Sequence, residues 1–366
     1  MFHRSKTDRG AAGNLSRVIK VFRVSKLLTT IAVCAALLAP TAASAEQTAA
    51  LTRVLAQWDH DPHPDLKAVV VLRRGHVEAE RYYNGETPSD LHDVRSAGKS
   101  ITALLVGAAL DRGRIGSVAD RVDRYWPAAK GTAIGDAPLA DVLTMRSGLA
   151  AFDADPNSPG GEDKLDAAPD PLAFILALPR SDPPGSIYHY NSVTAHVAGL
   201  VVEGASGEDL QSFAEVALFA PLAITRWSWT TDASGHFKGQ GNLSLTARDF
   251  AKIGQMVLDR GTYAGRRVLS ARWIDEMLTP RADIRLVDPY ADGYGYFWYV
   301  KTQQIAGAPV SVVFASGNGG NKIYVVKSLG LVVAITSSAY GKGYGQRRSE
   351  DILKAVGDCG ARDTPA

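Results

Sequence analysis

"VRSAGKSITALLVGAALDRG", residues 94–113, is the stretch on which the reading of this chain turns. From Ile101 to Leu110 it is apolar on nearly every side, which predicts a buried helix that Gly113 stops. A helix beginning near Ser96 sets Ser96 and Lys99 three residues apart on one face. A lysine buried there is costly unless something uses it. The helix N-terminus, with its free N–H groups and dipole, favours negative charge on Ser96. Burial pushes a lysine toward its neutral form. A neutral amine beside a hydroxyl accepts its proton, and the serine becomes a nucleophile. Two plainer readings compete. Gly98-Lys99-Ser100 ends like a phosphate-binding loop, but such a loop needs glycine at position 93, which is Asp93. Otherwise Ser96 is a helix cap and Lys99 points to solvent.

Upstream, Arg17, Lys20, Arg23 and Lys26 precede the apolar run Leu27 to Leu38, and Ala43-Ser44-Ala45 is a small-x-small cleavage site. Residues 1–45 therefore read as a secretory signal peptide cut after Ala45, and 46–366 as one exported domain, periplasmic or secreted. The apolar run is too short for a stable membrane anchor. The leader holds seven of the 40 basic residues and one of the 38 acidic ones. The remainder carries 33 against 37, a net charge of −4, so nothing points to nucleic acid. Cys34 leaves with the leader, and Cys359 alone permits no internal disulfide.

Along the domain, residues 67–83, "KAVVVLRRGHVEAERYY", read as two strands joined near Arg74-Gly75. "LADVLTMRSGL" is a short helix, and residues 151–171 a mobile loop over a surface. "DPPGSIYHYNS" is a turn leading into the helix "VTAHVAGLVVEGASG". Thr246 and Asp249 are spaced as a capping box. Residues 310–326 and 329–339 are β-rich, and a helix closes the chain. Strands at both ends and helices between predict an α+β fold: an antiparallel sheet built from both chain ends, flanked by helices, with an inserted helical lobe.

Two further segments carry chemistry. Tyr190 stands at a helix start, where a phenol near a lysine can serve as a base; the alternative is aromatic packing, since Tyr188 and Tyr190 alternate as strand residues do. "FASGNGGN", 314–321, has three glycines that let backbone N–H groups approach a developing oxyanion; the alternative is a plain hairpin turn. The eight histidines form no metal pattern, no cofactor is called for, and His189 and His196 read as packing or surface residues.

Together and in this order, the three segments resemble the β-lactamase-like serine hydrolases: class C β-lactamases, DD-peptidases, esterases and 6-aminohexanoate-oligomer hydrolases. The resemblance spans about residues 65–340 and implies the β-lactamase/transpeptidase-like form of the fold. It implies Ser96 as acylated nucleophile, Lys99 as its partner and Tyr190 as the proton-exchanging phenol. It also implies an oxyanion hole from the N–H groups of Ser96 and Asn318, with Gly317 and Ser192 beside the substrate. Two departures stand out. Ser192 occupies the place of the family's Asn, and the Lys-Thr-Gly or His-Thr-Gly strand reads Ala315-Ser316-Gly317. Ala315 cannot supply the cation that holds a carboxylate. The expected substrate is therefore a small ester or amide. A β-lactamase or D-amino-acid peptidase is the alternative, and a non-catalytic sensor of cell-wall fragments or β-lactams is the rival of another class. Oligomeric state and the pockets shaped by loops 150–171 and 281–295 stay open.

Overall fold

The computed structural model describes residues 42–361. The expected leader lies almost wholly outside them. Helix α1 (Ala42–Leu55) precedes the hairpin β1 (Leu66–Arg73) and β2 (His76–Tyr82), as the alternation around Arg74-Gly75 predicts. Strand β3 (His92–Asp93) brings the chain to α2 (Ala97–Asp111). The middle is helical: α3 (Leu139–Leu143), α4 (Glu162–Ala167), α5 (Pro171–Ala177), α6 (Ser192–Ser206) and α7 (Leu210–Ala214). Strands β4 (Ser228–Trp229) and β5 (Leu243–Leu245) join β3 in a small sheet. Then come α8 (Ala247–Leu258), the ribbon β6 (Thr262–Tyr263) and β7 (Arg266–Arg267), and α9 (Ala271–Leu278). The chain ends with β8 (Ala282–Asp283), β9 (Gly293–Tyr294), β10 (Tyr299–Ile305), β11 (Ala308–Gly317), β12 (Asn321–Val326), β13 (Leu331–Ser337) and α10 (Gly343–Ala361).

The main sheet has eight strands in the order β2-β1-β13-β12-β11-β10-β9-β8, and its pairings are antiparallel. The first hairpin lies beside the last strand, with Val69 opposite Ile335 and Val71 opposite Val333. Every residue of β12 and β13 is buried, so both faces are covered. Alternation divides β12: Ile323 and Val325 face Gly254 of α8, whereas Lys322 and Tyr324 feel Glu350 of α10. The helical segment falls between the two strand groups, as expected. The segment 151–171 differs from its expected loop, because it contains α4 and a bridge between Ala151 and Gly160. Its turn formers mask this short helix. Tyr188 and Tyr190 lie outside any strand, so their alternation carries no pleat.

Helix α2 is the central pillar, buried from Ala97 to Ala109. Ile101, Leu104, Leu105 and Val106 are fully buried, each stabilising by about 1.5–3 kcal/mol. Polar side chains fix its rotation. Ser100 donates to the Phe297 carbonyl at 2.5 Å, Thr102 to the Gly239 carbonyl at 2.7 Å, and the Trp298 indole to the Ser100 carbonyl at 3.2 Å.

Candidate active site

The site begins with a turn. The Asp93 carboxylate accepts the Arg95 N–H at 2.8 Å, and Arg95 takes a left-handed conformation with φ 52°. The Arg95 guanidinium stacks 4.1 Å over the Tyr340 ring, which holds the turn from outside. Ser96 follows at the helix N-cap, yet its side chain makes no capping bond. The plain capping reading therefore fails. So does a solvent-facing Lys99, which is 1% exposed.

Lys99 Nζ donates three hydrogen bonds of 3.0 Å each, to Ser96 Oγ, to Ser192 Oγ and to the Gln240 carbonyl. An ammonium has three donors and no acceptor, and all three are used. Ser192 in turn donates to Asp153 Oδ2 at 2.9 Å. Burial is the largest single influence on Lys99 and opposes its charge. The Tyr190 phenol, Glu162 and Asp153 together outweigh it, and the Lys99 pKa ends above its ordinary value. The expectation of a neutral lysine is corrected in direction: Tyr190 first, then Glu162 and Asp153 from the 151–171 segment, favour the ammonium electrostatically, and burial alone does not decide its charge. Tyr190 places its ring 5.2 Å from Lys99 Nζ. Tyr188, the alternative phenol, is pushed well above its usual range by burial.

Small residues make these approaches possible. A Cβ on Gly98 would lie 2.9 Å from Gly241 Cα, so a side chain there would push the 238–241 segment and its Gln240 carbonyl away from the helix. On the other side, a Cβ on Gly317 would sit 2.1 Å from the Val94 carbonyl. That contact seats the end of β11 beside the Ser96 turn. Among the described residues, neither the Ser96 N–H nor the Asn318 N–H makes a hydrogen bond. Asn318 is positioned through its other groups: its side-chain oxygen accepts from the Gly341 N–H at 2.8 Å and its carbonyl from Asn321 Nδ2 at 2.8 Å. The 317–321 segment is thus both the hairpin turn and a presenter of free N–H groups.

Of the residues expected at the site, Ser96, Lys99, Tyr190 and Ser192 come together directly, and Gly317 packs against the Ser96 turn. Ser192 is fully buried, its hydroxyl engaged by Lys99 and Asp153. It links these two groups and is not open to a substrate. Ala315 is also fully buried and brings no charge. Asn191, beside Ser192, is spent on the helix: its Oδ1 caps the Thr194 N–H at 2.7 Å. Asp153, Glu162 and Gln240 were missed, because they stand in turn-rich segments without periodicity. His196 is more than packing. Its Nε2 meets Asp232 at 2.9 Å and its Nδ1 lies 3.3 Å from the Gly239 N–H. It thereby anchors the segment that carries Gln240. A cavity of about 860 Å³, lined by Val257, Ile274, Val313 and Val325 among others, includes none of these groups. Among the described residues, no cluster of His, Cys, Asp and Glu could hold a metal ion.

Several known proteins resemble this chain. A 6-aminohexanoate-dimer hydrolase of Paenarthrobacter ureafaciens is 32% identical over 223 residues, 58% of this chain. The match spans 56% of that relative's length. A family VIII carboxylesterase superposes with TM-score 0.65 at 18% identity, covering 84% of this chain and 97% of that one. A D-stereospecific amidohydrolase from a Streptomyces species gives TM-score 0.62 at 19% identity, covering 83% and 98%. The family profile described as Beta-lactamase matches residues 67–357, and the chain belongs to that family of serine hydrolases.

Proposed function

We propose that this protein cleaves a small ester or amide through an acyl-enzyme on Ser96. The observation that carries the reading is the bond from Lys99 Nζ to Ser96 Oγ within a saturated set of three. Because the ammonium has no lone pair, it cannot take the serine proton. The proton acceptor in this reading is the Tyr190 oxygen, whose negative charge the Lys99 ammonium stabilises. Ser96 Oγ attacks the carbonyl while Tyr190 takes its proton. The oxyanion is met by the N–H groups of Ser96 and Asn318. Tyr190 then returns the proton to the leaving oxygen or nitrogen as the bond to it breaks. Water attacks the acyl carbon, gives its proton to Tyr190, and the proton passes back to Ser96 as the acid leaves.

The name of the Paenarthrobacter relative supports the amide branch, and the buried Ala315 argues against a substrate whose carboxylate is held from that position. A pure sensor would not need Ser96, Lys99 and Tyr190 together. The basic and apolar run followed by Ala43-Ser44-Ala45 supports export of a chain beginning at Glu46. The burial of Leu51 and Leu55 in α1 supports a domain that includes the residues following Glu46. The test is intact-mass analysis after exposure to short-chain 4-nitrophenyl esters, anilides, a cephalosporin and a fluorophosphonate. A covalent adduct mapped to Ser96 and absent in Ser96→Ala is expected. Labelling that persists at another serine would remove Ser96 from its role.

A further inference from the structure

The two halves of the oxyanion site are aimed by different means. In a trans peptide the carbonyl and the N–H point in opposite directions, so whatever holds the carbonyl also sets the aim of the N–H. The Ser96 N–H shares its peptide unit with the Arg95 carbonyl, which accepts the Gly98 N–H at 2.9 Å. That bond joins residues three apart at the entrance to α2, and local geometry supplies it.

The Asn318 N–H shares its unit with the Gly317 carbonyl, and there the holder comes from another element. Gln346, half-buried in the first turn of α10, donates from Nε2 to the Gly317 carbonyl at 3.0 Å. The turn's own bond to that carbonyl, from the Gly320 N–H, is longer at 3.3 Å. The other end of the Gln346 amide, Oε1, is buried and has no partner among the described residues. An amide turned the other way would set two carbonyl oxygens against each other, so the side chain serves Gly317 as a donor.

The rest of the turn is fastened elsewhere. Ser349 Oγ donates to the Gly320 carbonyl at 2.7 Å, and the Gly341 N–H to Asn318 Oδ1 at 2.8 Å. Gly320 has φ 91°, and a Cβ there would lie 2.3 Å from the Gly345 carbonyl. These contacts fix where the turn sits against the start of α10. The rotation of the Gly317–Asn318 peptide is a separate matter, and Gly317 has no Cβ to resist it. Gln346 holds that rotation.

We propose that Gln346 is a positioning residue for catalysis: its amide grips the back of the Gly317–Asn318 peptide and aims the Asn318 N–H at the developing oxyanion. This rests on the acyl-enzyme reading. Gln346 acts through the peptide and does not touch the substrate. The consequence is selective, because a well-aimed donor matters more to the charged tetrahedral state than to the bound carbonyl. A thiono ester develops its charge on sulfur, a weak acceptor, and gains little from the aim.

The experiment follows acylation of Ser96 in single turnovers with 4-nitrophenyl butyrate and with its thiono analogue, in which sulfur replaces the carbonyl oxygen. Gln346→Met keeps the volume and removes the donor. It is expected to slow acylation by the oxo ester about tenfold to 10²-fold, part of the roughly 10²–10³-fold that one whole oxyanion donor provides. Substrate binding should stay within about twofold and the thiono ester should slow by less than about threefold. Gln346→Glu places an ionised carboxylate against the Gly317 carbonyl at pH 8 and is expected to lose more on the oxo ester. Ser349→Ala loosens the same turn at Gly320; it is expected to lower thermal stability and to treat the two esters alike. Acylation of Gln346→Met by the oxo ester within about twofold of wild type would overturn the inference. So would an equal loss on both esters, or the same oxo-selective loss in Ser349→Ala. Each of these leaves the acyl-enzyme standing. Failure of both esters to acylate Ser96 in the wild type would overturn the hydrolase reading, and this inference with it.

Discussion

Lys99 and Lys322 are both buried almost completely, one in the first turn of α2 and one on a central strand, and their pKa values move in opposite directions. Lys99 meets three oxygens and feels Tyr190, Glu162 and Asp153. Lys322 meets one hydroxyl and three aromatic faces, and its attraction to Asp288 and Glu350 fails to offset burial. Depth is the same at both places. What differs is the number of acceptors and negative charges that the fold brings to the amine. Burial wins at 322, where it lowers the pKa, and is outweighed at 99.

The contrast breaks most visibly at the nucleophile. Ser96→Ala is expected to lower kcat by about 10⁴-fold or more, as removal of a nucleophile does elsewhere. Lys99→Met removes both the charge and the hydrogen bond to Ser96 and should approach that loss. Single-turnover kinetics with a 4-nitrophenyl ester measures both. A Lys99→Met enzyme within tenfold of wild type would show that its ammonium is structural, as a buried pair often is. Tyr190→Phe removes the proposed proton acceptor and should cost about 10²-fold or more in kcat. The Lys99→Met, Tyr190→Phe double variant should lose less than the sum in free energy, since both serve one network.

At Lys322 the comparison predicts a gain. A lysine brought from its ordinary 10.5 to about 7 costs folding on the order of 4 kcal/mol at and below pH 7. Between 7 and 10.5 the unfolded state binds more protons, so stability rises with pH across that window. Lys322→Met fills similar volume without a charge. It should raise stability at pH 7 by a few kcal/mol and remove the rise toward pH 10. Lys99 has the reverse sign: its raised pKa contributes stability that is present below 10.5 and lost as pH climbs through the folded value. Urea melts at pH 6, 7, 9 and 10 separate the two. A Lys322→Met variant less stable than wild type at pH 7 would mean that its bond to Ser316 outweighs the burial cost.

Local pattern made most of the fold readable. The alternation across Arg74-Gly75 and the all-round apolar character of Ile101 to Leu110 each reflect burial that neighbours in sequence already define. So does the cap of Thr246 on the Asp249 N–H at 3.1 Å, which begins α8. The Ser96 and Lys99 pair was readable because both lie on one turn of one helix. Their counter-charges were not. Asp153 is one of several acidic residues in a turn-rich stretch, and nothing local distinguishes it from Asp155. The Gln240 carbonyl reaches Lys99 because Gly98 and Gly241 face each other, a fact of tertiary structure only. Lys322 left one trace: a lone charge in "NKIYVV", where every other pattern calls for a buried strand.

The subtlest test shifts the balance at Lys99 without touching it. Asp153 reaches the amine through Ser192, so Asp153→Asn keeps an acceptor for the Ser192 hydroxyl and removes one negative charge. Burial then opposes Tyr190 and Glu162 alone, and the Lys99 pKa must fall. The ammonium would lose its proton at lower pH, and with it the charge that supports Tyr190 as base. The expected result is a modest drop in kcat at pH 7, about tenfold, with the alkaline limb of the pH–rate profile moved to lower pH. Ser192→Ala breaks the same link differently, leaving one N–H of Lys99 without its partner, and should move the limb in the same direction. If Asp153→Asn lowers kcat but leaves the alkaline limb in place, Asp153 orders the loop around Tyr190, whose carbonyl accepts the Asp153 N–H at 3.0 Å. The charge that separates Lys99 from Lys322 would then have to come from Tyr190 and Glu162.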